Sequence, residues 1–344
     1  MFFRLWYNFR VKKNKTKKTV GIIRGGEQGD YDASLRYGGE LISHIFENLS
    51  ERWKVVDILI DKNGVWHANG IPISLANLTH KVELVWNTAH HGLANVLRDF
   101  SIPAINISSF SFLLKQEHEV LEEHLKELGL KMPKKIVFPL YQEDFDGPVD
   151  LYVARKAREV LGKFSAPWIV KTFTEDADMG PVRGREGSQR PSASNGMGIH
   201  LAKTFPELMT ALQDGIRHQK SILVEEFIYG KNIDMHSVGG FRGEGVYVFP
   251  PHSGSETLQG RMTGNLLKDE KDKFIQLVKD LHRHLGAEHY LNSNFVLHPK
   301  RGIFVTDISL LPDLQPGSPL ENACESVGAK VHHLVEHLLE KTLS

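Results

Sequence analysis

The stretch Leu291–Pro312, LNSNFVLHPKRGIFVTDISLLP, constrains this chain most. NSNFVL and IFVTDIS each alternate polar and apolar residues, and HPKRG between them supplies Pro and Gly for a tight reversal. Alternation at period two marks strands with one buried face, so the stretch is predicted to be a pair of antiparallel strands. The same period puts Asn292 and Asn294 on one face of the first strand, and Asp307 and Ser309 on one face of the second. Pairing the strands gathers these oxygens at one end of a sheet. Oxygen ligands in such a place suit Mg²⁺, which takes hard donors and keeps phosphates and waters as further partners.

The chain has 344 residues, enough for two or three domains with their own cores. Its 41% hydrophobic and 24% charged content is that of an ordinary globular protein. The net charge of +0 gives no pointer to nucleic acid. A single Cys324 excludes a disulfide framework and a cysteine zinc site. No apolar run is long enough to span a bilayer. Residues 1–18 mix aromatics with Arg4, Arg10, Lys12, Lys13, Lys15, Lys17 and Lys18 and hold no acid. Three readings of them stay open: a disordered extension, a basic amphipathic segment in weak contact with anionic lipid, or a targeting peptide without a secretory h-region.

Taken in order, Thr19–Arg24 is a buried strand that meets Gly25-Gly26, and a helix is predicted from near Ser34. Strand, glycine turn and helix open a Rossmann-like layer, but no GxGxxG is present. Asp30 and Asp32 favour the helix N-terminus through its dipole. Trp53–Ile60 and Val82–Trp86 are further strands, with a hairpin turn at residues 61–64 and a polar segment NTAHHG after the third strand. Neighbouring His90 and His91 lack a third ligand at zinc spacing. Residues 110–130 form an amphipathic helix ended by Gly129. Trp168–Lys171 is a short strand with Lys171 at its end, a sensible phosphate partner if it faces a cleft and a solubilising edge residue if it does not. Residues 172–195 are rich in Gly, Pro, Ser and Arg, including Arg183, Arg185 and Arg190, and read as a loop. The segment SNGMGI that follows carries Gly196 and Gly198, whose backbone N–H groups suit an anion. After a helix at Phe205–His218 come an apolar strand and EEFIYG, two strands HSVGGF and GVYVFP, a helix at Phe274–Leu285, and terminal helices within Pro319–Leu343.

These motifs, in this order over about residues 19–343, resemble the D-alanine–D-alanine ligases of the ATP-grasp superfamily. The resemblance implies an α/β protein: a flexible extension (1–18), a Rossmann-like N-terminal domain (19–108), then a two-lobed ATP-grasp domain with a central lobe (109–220) and a C-terminal lobe (221–344). It implies ATP and Mg²⁺ as cofactors and ligation of a carboxylate to an amine through an acyl phosphate, with D-amino acids as small-molecule substrates. It also implies a cytoplasmic setting in peptidoglycan synthesis; a homodimer is left open. Carried over position by position, Lys171, Gly196 and Gly198 would meet the nucleotide phosphates, Glu225, Glu226 and Ile228 the adenine, and Asn232 the ribose. Asn294, Asp307 and Ser309 would hold metal; Asp32 would orient the first substrate's amine and Ser318 a substrate carboxylate. The family's Arg over the developing oxyanion is here Asn292, its metal Asp is Asn294, its Glu-x-Asn is Asp307 and Ser309, and its lid Tyr and Lys have no match; Arg261 is the only cation near that lid position. The alternative is a catalytically degenerate relative that binds nucleotide or a partner without turnover.

Overall fold

The computed structural model describes residues 17–27, 31–107, 118–173, 199–218, 221–253, 261–262 and 266–344. Gly196, Gly198, Asp30, the arginines of the 172–195 loop and residues 1–16 lie outside the described residues, as does the Arg261 side chain.

The N-terminal domain is a six-stranded sheet in the order β4-β3-β2-β1-β5-β6. Its strands are β1 (Lys18–Gly25), β2 (Trp53–Ile60), β3 (Trp66–Ala68), β4 (Ile71–Pro72), β5 (Leu84–Asn87) and β6 (Ala104–Ile105). β1 runs parallel to both β2 and β5. Helix α1 (Tyr31–Leu49) connects β1 to β2 and buries Leu41, Ile45 and Leu49, spaced four apart. It begins three residues ahead of Ser34. The Ser34 hydroxyl accepts from the Gly25 N–H at 2.9 Å, so Ser34 closes the turn onto β1 instead of capping the helix. Gly25 has φ +84°, and a Cβ there would collide with the Ile60 carbonyl, so the turn requires glycine. The chain leaves β1 toward β2 on one side, and β5 lies on the other. The carboxyl ends of β1 and β5 therefore flank a topological switch point, where open α/β sheets bind ligands.

Helix α2 (His118–Glu127) follows. By sequence it belongs to the central lobe, but its Leu121 and Leu125, with Leu130 beyond it, share the core of the C-terminal lobe. The central lobe is an antiparallel sheet in the order β7-β10-β8-β9. It comprises β7 (Lys135–Phe138), β8 (Trp168–Phe173), β9 (His200–Ala202) and β10 (Ser221–Glu226), with helices α3 (Val149–Lys163) and α4 (Phe205–Arg217). Val153, Ala157 and Val160 of α3 and Leu208, Ala211 and Leu212 of α4 close over Val170, Ile222 and Val224.

The C-terminal lobe is built on β11 (Gly230–Gly239), β12 (Val246–Val248), β15 (Tyr290–His298) and β16 (Gly302–Ser309), in the order β12-β11-β15-β16. The short β13 (His252–Ser253) and β14 (Arg261–Met262) also pair with β11. HSVGGF is the end of one ten-residue strand rather than a strand of its own, because β15 supplies partners for β11 from Lys231 to Val238. Helix α5 (Lys268–His284) starts six residues before Phe274, since the Glu270 carboxylate accepts from the Leu267 N–H at 2.8 Å and extends the helix past its apolar stripe. Helices α6 (Pro319–Ser326) and α7 (Val331–Leu343) return to the N-terminal domain. Leu334 and Leu338 of α7 share one core with Leu41, Trp53 and Trp86, and Arg52 reaches Glu336 and Glu340 at 2.6 Å.

Candidate functional site

The two expected strands form and pair antiparallel. Asn292 lies opposite Ser309, and Asn294 opposite Asp307, with a bulge between Asn294 and Phe295. Opposed residues on neighbouring strands point to one face, so the four predicted ligands come together. Their states differ. Asp307 is exposed, Asn294 is half-buried and Asn292 is buried. The Ser309 hydroxyl donates to the Leu311 carbonyl at 3.1 Å and accepts from its N–H, so it shapes the turn out of β16 as well as facing the group.

β11 completes the row with two residues that the sequence reading left out of the site. Asp234 lies opposite Asn294 and His236 opposite Asn292. The face therefore carries Asp234–Asn294–Asp307 in one line and His236–Asn292–Ser309 in the next. Both β11 residues are 1% exposed. His236 Nδ1 is 2.7 Å from the Tyr290 hydroxyl, and its Nε2 is 3.5 Å from Asp234 Oδ1. Burial, and then the nearby Asp234 and Asp313 carboxylates, push the Tyr290 phenol well above its ordinary pKa. The signal was available: in NIDMHS, Asn232, Asp234 and His236 alternate with Ile233 and Met235. Only the pairing of β11 with β15 shows that this alternation continues the hairpin's polar face.

The hinge between the lobes lies at the end of β10. Lys171 Nζ is 3.1 Å from Glu225 Oε2, with the lysine about one-third exposed and the glutamate largely buried. The Glu226 carboxylate accepts from Arg301 Nη1 at 2.7 Å and from the Lys134 N–H at 3.3 Å. Arg301 comes from the HPKRG turn and also covers the Phe304 ring, with its guanidinium carbon 4.7 Å from the ring centre. A turn residue that reads as surface punctuation thus joins the β15–β16 hairpin to the hinge. Ile228 is fully buried with Val296 and Phe304, an apolar wall where the hinge crosses the C-terminal sheet. Gly230 is required at that crossing, because a Cβ would strike the Leu297 carbonyl. Asn232 Oδ1 is buried without a hydrogen-bond partner among the described residues.

The remaining predicted residues stand at the switch-point edge and beyond β16. Asp32 is exposed in the first turn of α1. Asn87 organises the polar segment after β5: its Nδ2 donates to the His90 carbonyl at 2.8 Å and its Oδ1 accepts from the Ala89 N–H at 3.0 Å. Burial, then His90, lowers the pKa of His91 and favours its neutral form. Ser318 is 4% exposed; its hydroxyl caps α6 by accepting from the Glu321 N–H at 3.2 Å and donates to the Asp313 carbonyl at 3.0 Å. A small cavity bordered by Trp86, Asn87, Asn106, His289, Tyr290 and Leu311 lies where these strand ends meet the C-terminal lobe.

The donor set fits a hard divalent cation: Asp307, Asn294 and Asp234 present oxygens in one line, and soft ligands are missing from it. Two buried carbonyl oxygens, Asn232 Oδ1 and Asn292 Oδ1, have no partner among the described residues. Such orphans are costly unless a ligand or water answers them.

No family model matches the chain. The D-alanine–D-alanine ligase of Oceanobacillus iheyensis is 20% identical, over 94% of this chain and 94% of that one. The VanG D-Ala:D-Ser ligase from Enterococcus faecalis superposes with a TM-score of 0.60 at 17% identity, covering 95% of this chain and 99% of that one. The D-alanine–D-alanine ligase from Bacillus anthracis complexed with ATP gives 0.58 at 16% identity, over 95% and 97% of the two chains. With the same order of elements along almost the whole of each partner, the chain has the ATP-grasp fold of the D-alanine–D-alanine ligases: a Rossmann-like N-terminal domain followed by a two-lobed ATP-grasp domain.

Proposed function

We propose that the chain is an ATP-dependent carboxylate–amine ligase of D-alanine–D-alanine type, acting on D-amino acids or closely related small molecules. The observation that carries this reading is the three-strand face Asp234–Asn294–Asp307 and His236–Asn292–Ser309, set beside a hinge that holds Lys171. Relatives along nearly the full length are ligases by name, which favours turnover over nucleotide binding alone.

Mg²⁺, when bound, supplies charge neutralisation for the phosphates. Asp307 offers it a carboxylate, Asn294 a neutral oxygen, and Asp234 the second carboxylate that Asn294 no longer provides. Lys171, aimed by Glu225, meets phosphate oxygens. Ile228, Val296 and Phe304 wall the base, and Asn232 answers a sugar hydroxyl with its unpartnered oxygen. Gly196 and Gly198 lend backbone N–H groups from the loop. Asp32 orients a substrate amine from the switch-point edge, and Ser318 holds a substrate carboxylate. Asn292 donates to the developing oxyanion without the positive charge of an arginine. Loss of one oxyanion donor costs on the order of 10²–10³ in rate, so D-alanyl-D-alanine formation is expected to be slow.

ADP release with MgATP, measured against a panel of single and paired D-amino acids, tests the reading. Amino-acid-dependent ADP release with a ligated product is expected. Tight nucleotide binding with no product from any pair would overturn it and favour the degenerate alternative.

A further inference from the structure

We propose that His124, Glu127 and His284 form a binding site for a divalent transition-metal cation of the Zn²⁺ class, which staples α2 to α5. The site is separate from the strand group and does not rest on the ligase reading.

His124 and Glu127 are three apart on α2, so they share a face. His284 is the last residue of α5. The ligand atoms of the three side chains lie within 4.8 Å of one another. His124 Nδ1 is 2.7 Å from His284 Nε2, and His284 Nε2 is 3.7 Å from Glu127 Oε2. A cation about 2.0–2.1 Å from each nitrogen at a tetrahedral angle needs them about 3.3 Å apart. A small rotation of either half-buried ring supplies that difference.

The surroundings favour a cation. α2 ends at Glu127 and α5 at His284, and Gly129 and Gly286, with φ of 70° and 60°, turn the chain away just beyond each end. Two helix C-termini therefore converge on the triad, and each carries partial negative charge. The neighbouring Arg283 is directed to Asp280 at 3.1 Å. The ligands are preorganised, because Leu121 and Leu125 of α2 pack in one core with Val278 and Leu281 of α5. Two imidazoles and a carboxylate suit a borderline cation and leave a coordination position to solvent beside the exposed Glu127. Mg²⁺ prefers oxygen donors, so the hard cation expected at the strand group does not compete here.

The staple would hold the segment that carries the chain from the N-terminal domain into the central lobe. Just beyond α2, Lys131 already extends the β16 edge: its N–H donates to the Ile303 carbonyl at 3.1 Å and its carbonyl accepts from the Val305 N–H at 2.8 Å. A metal would fix α2 against α5 beside that junction.

The test uses the full chain, stripped with chelator and titrated with ZnCl₂ in excess Mg²⁺ by calorimetry and thermal shift, with Co²⁺ as an absorption probe. Wild type is expected to take up one tight Zn²⁺ equivalent and to gain melting temperature, and the Co²⁺ form to show tetrahedral d–d bands. His124→Ala and His284→Ala should each weaken the tight equivalent at least tenfold and abolish the bands. Glu127→Gln, at an exposed position that does not endanger folding, should weaken it and change the Co²⁺ spectrum. Absence of a tight equivalent in wild type, or equal binding and spectra in folded variants, would overturn the proposal.

Discussion

Replacing Tyr290 by phenylalanine probes the buried pair beneath the strand group. Tyr290 is 2% exposed and His236 1%, and their bond is 2.7 Å. The approach of His236 Nε2 to Asp234 Oδ1 at 3.5 Å assigns the ring proton to Nε2. Nδ1 is then the acceptor, and the Tyr290 hydroxyl, kept protonated by burial, donates to it. Tyr290→Phe keeps the ring and removes only the hydroxyl, leaving Nδ1 a buried acceptor without its donor. Such an orphan costs about 1–3 kcal/mol, or roughly 5- to 150-fold in the folding constant. Urea unfolding should show a lower midpoint with an unchanged slope. With the imidazole no longer held, Asp234 loses its orientation, and the affinity for MgATP by calorimetry should fall as well. A stability change below about 0.5 kcal/mol would show that the hydroxyl is not the partner described, since even a modest hydrogen bond exceeds that. Lost stability with unchanged MgATP affinity would make the pair structural only and remove His236 from the site.

Lys171→Ala should weaken ATP binding by about 1–3 kcal/mol, the range for a charge-assisted contact, with a modest fall in melting temperature because the largely buried Glu225 loses this partner. Arg301→Ala should raise the KM for ATP several-fold through a looser hinge, while stability moves by less than about 1 kcal/mol, as the arginine is well exposed. His282 and His289 are held neutral mainly by burial, each with its pKa lowered to about 4. The unfolded chain therefore binds more protons than the folded one between about pH 6.5 and 4, so stability is full above that window and falls as pH drops through it, by roughly 3 kcal/mol per histidine. Denaturation midpoints measured from pH 7 to pH 4 should decline, and His289→Gln should flatten the slope. Asn294→Asp should strengthen the Mg²⁺ dependence of ATP binding by restoring a carboxylate between Asp234 and Asp307; an unchanged dependence would take Asn294 out of the metal group.

The two strands of the hairpin were legible in the sequence because they rest on local periodicity, whereas the hinge was indicated only by the resemblance to the ligases. Alternation at period two fixed which residues of β15 and of β16 share a face, and Gly25-Gly26 marked the turn after β1. Element ends were less legible. The early start of α5 depends on a single hydrogen bond, from Leu267 to Glu270, that composition does not reveal.

What the sequence by itself determined is therefore the alternation within each strand: Asn292 and Asn294 share one face of β15, and Asp307 and Ser309 one face of β16, because pleating has period two. The bulge between Asn294 and Phe295, which shifts the pairing by one residue, put the two pairs on the same face. Only the tertiary structure decided what stands beside that row. Strand order is set by burial of both sheet faces, and it brought β11 next to β15, adding Asp234 and His236 to the face from about sixty residues upstream. The same packing brought Arg301 to Glu226 across 75 residues and His284 to His124 across 160. Contacts of such separation leave no periodic mark in a single chain. They arise when apolar faces close on one another and carry along whatever polar side chains the opposite faces hold.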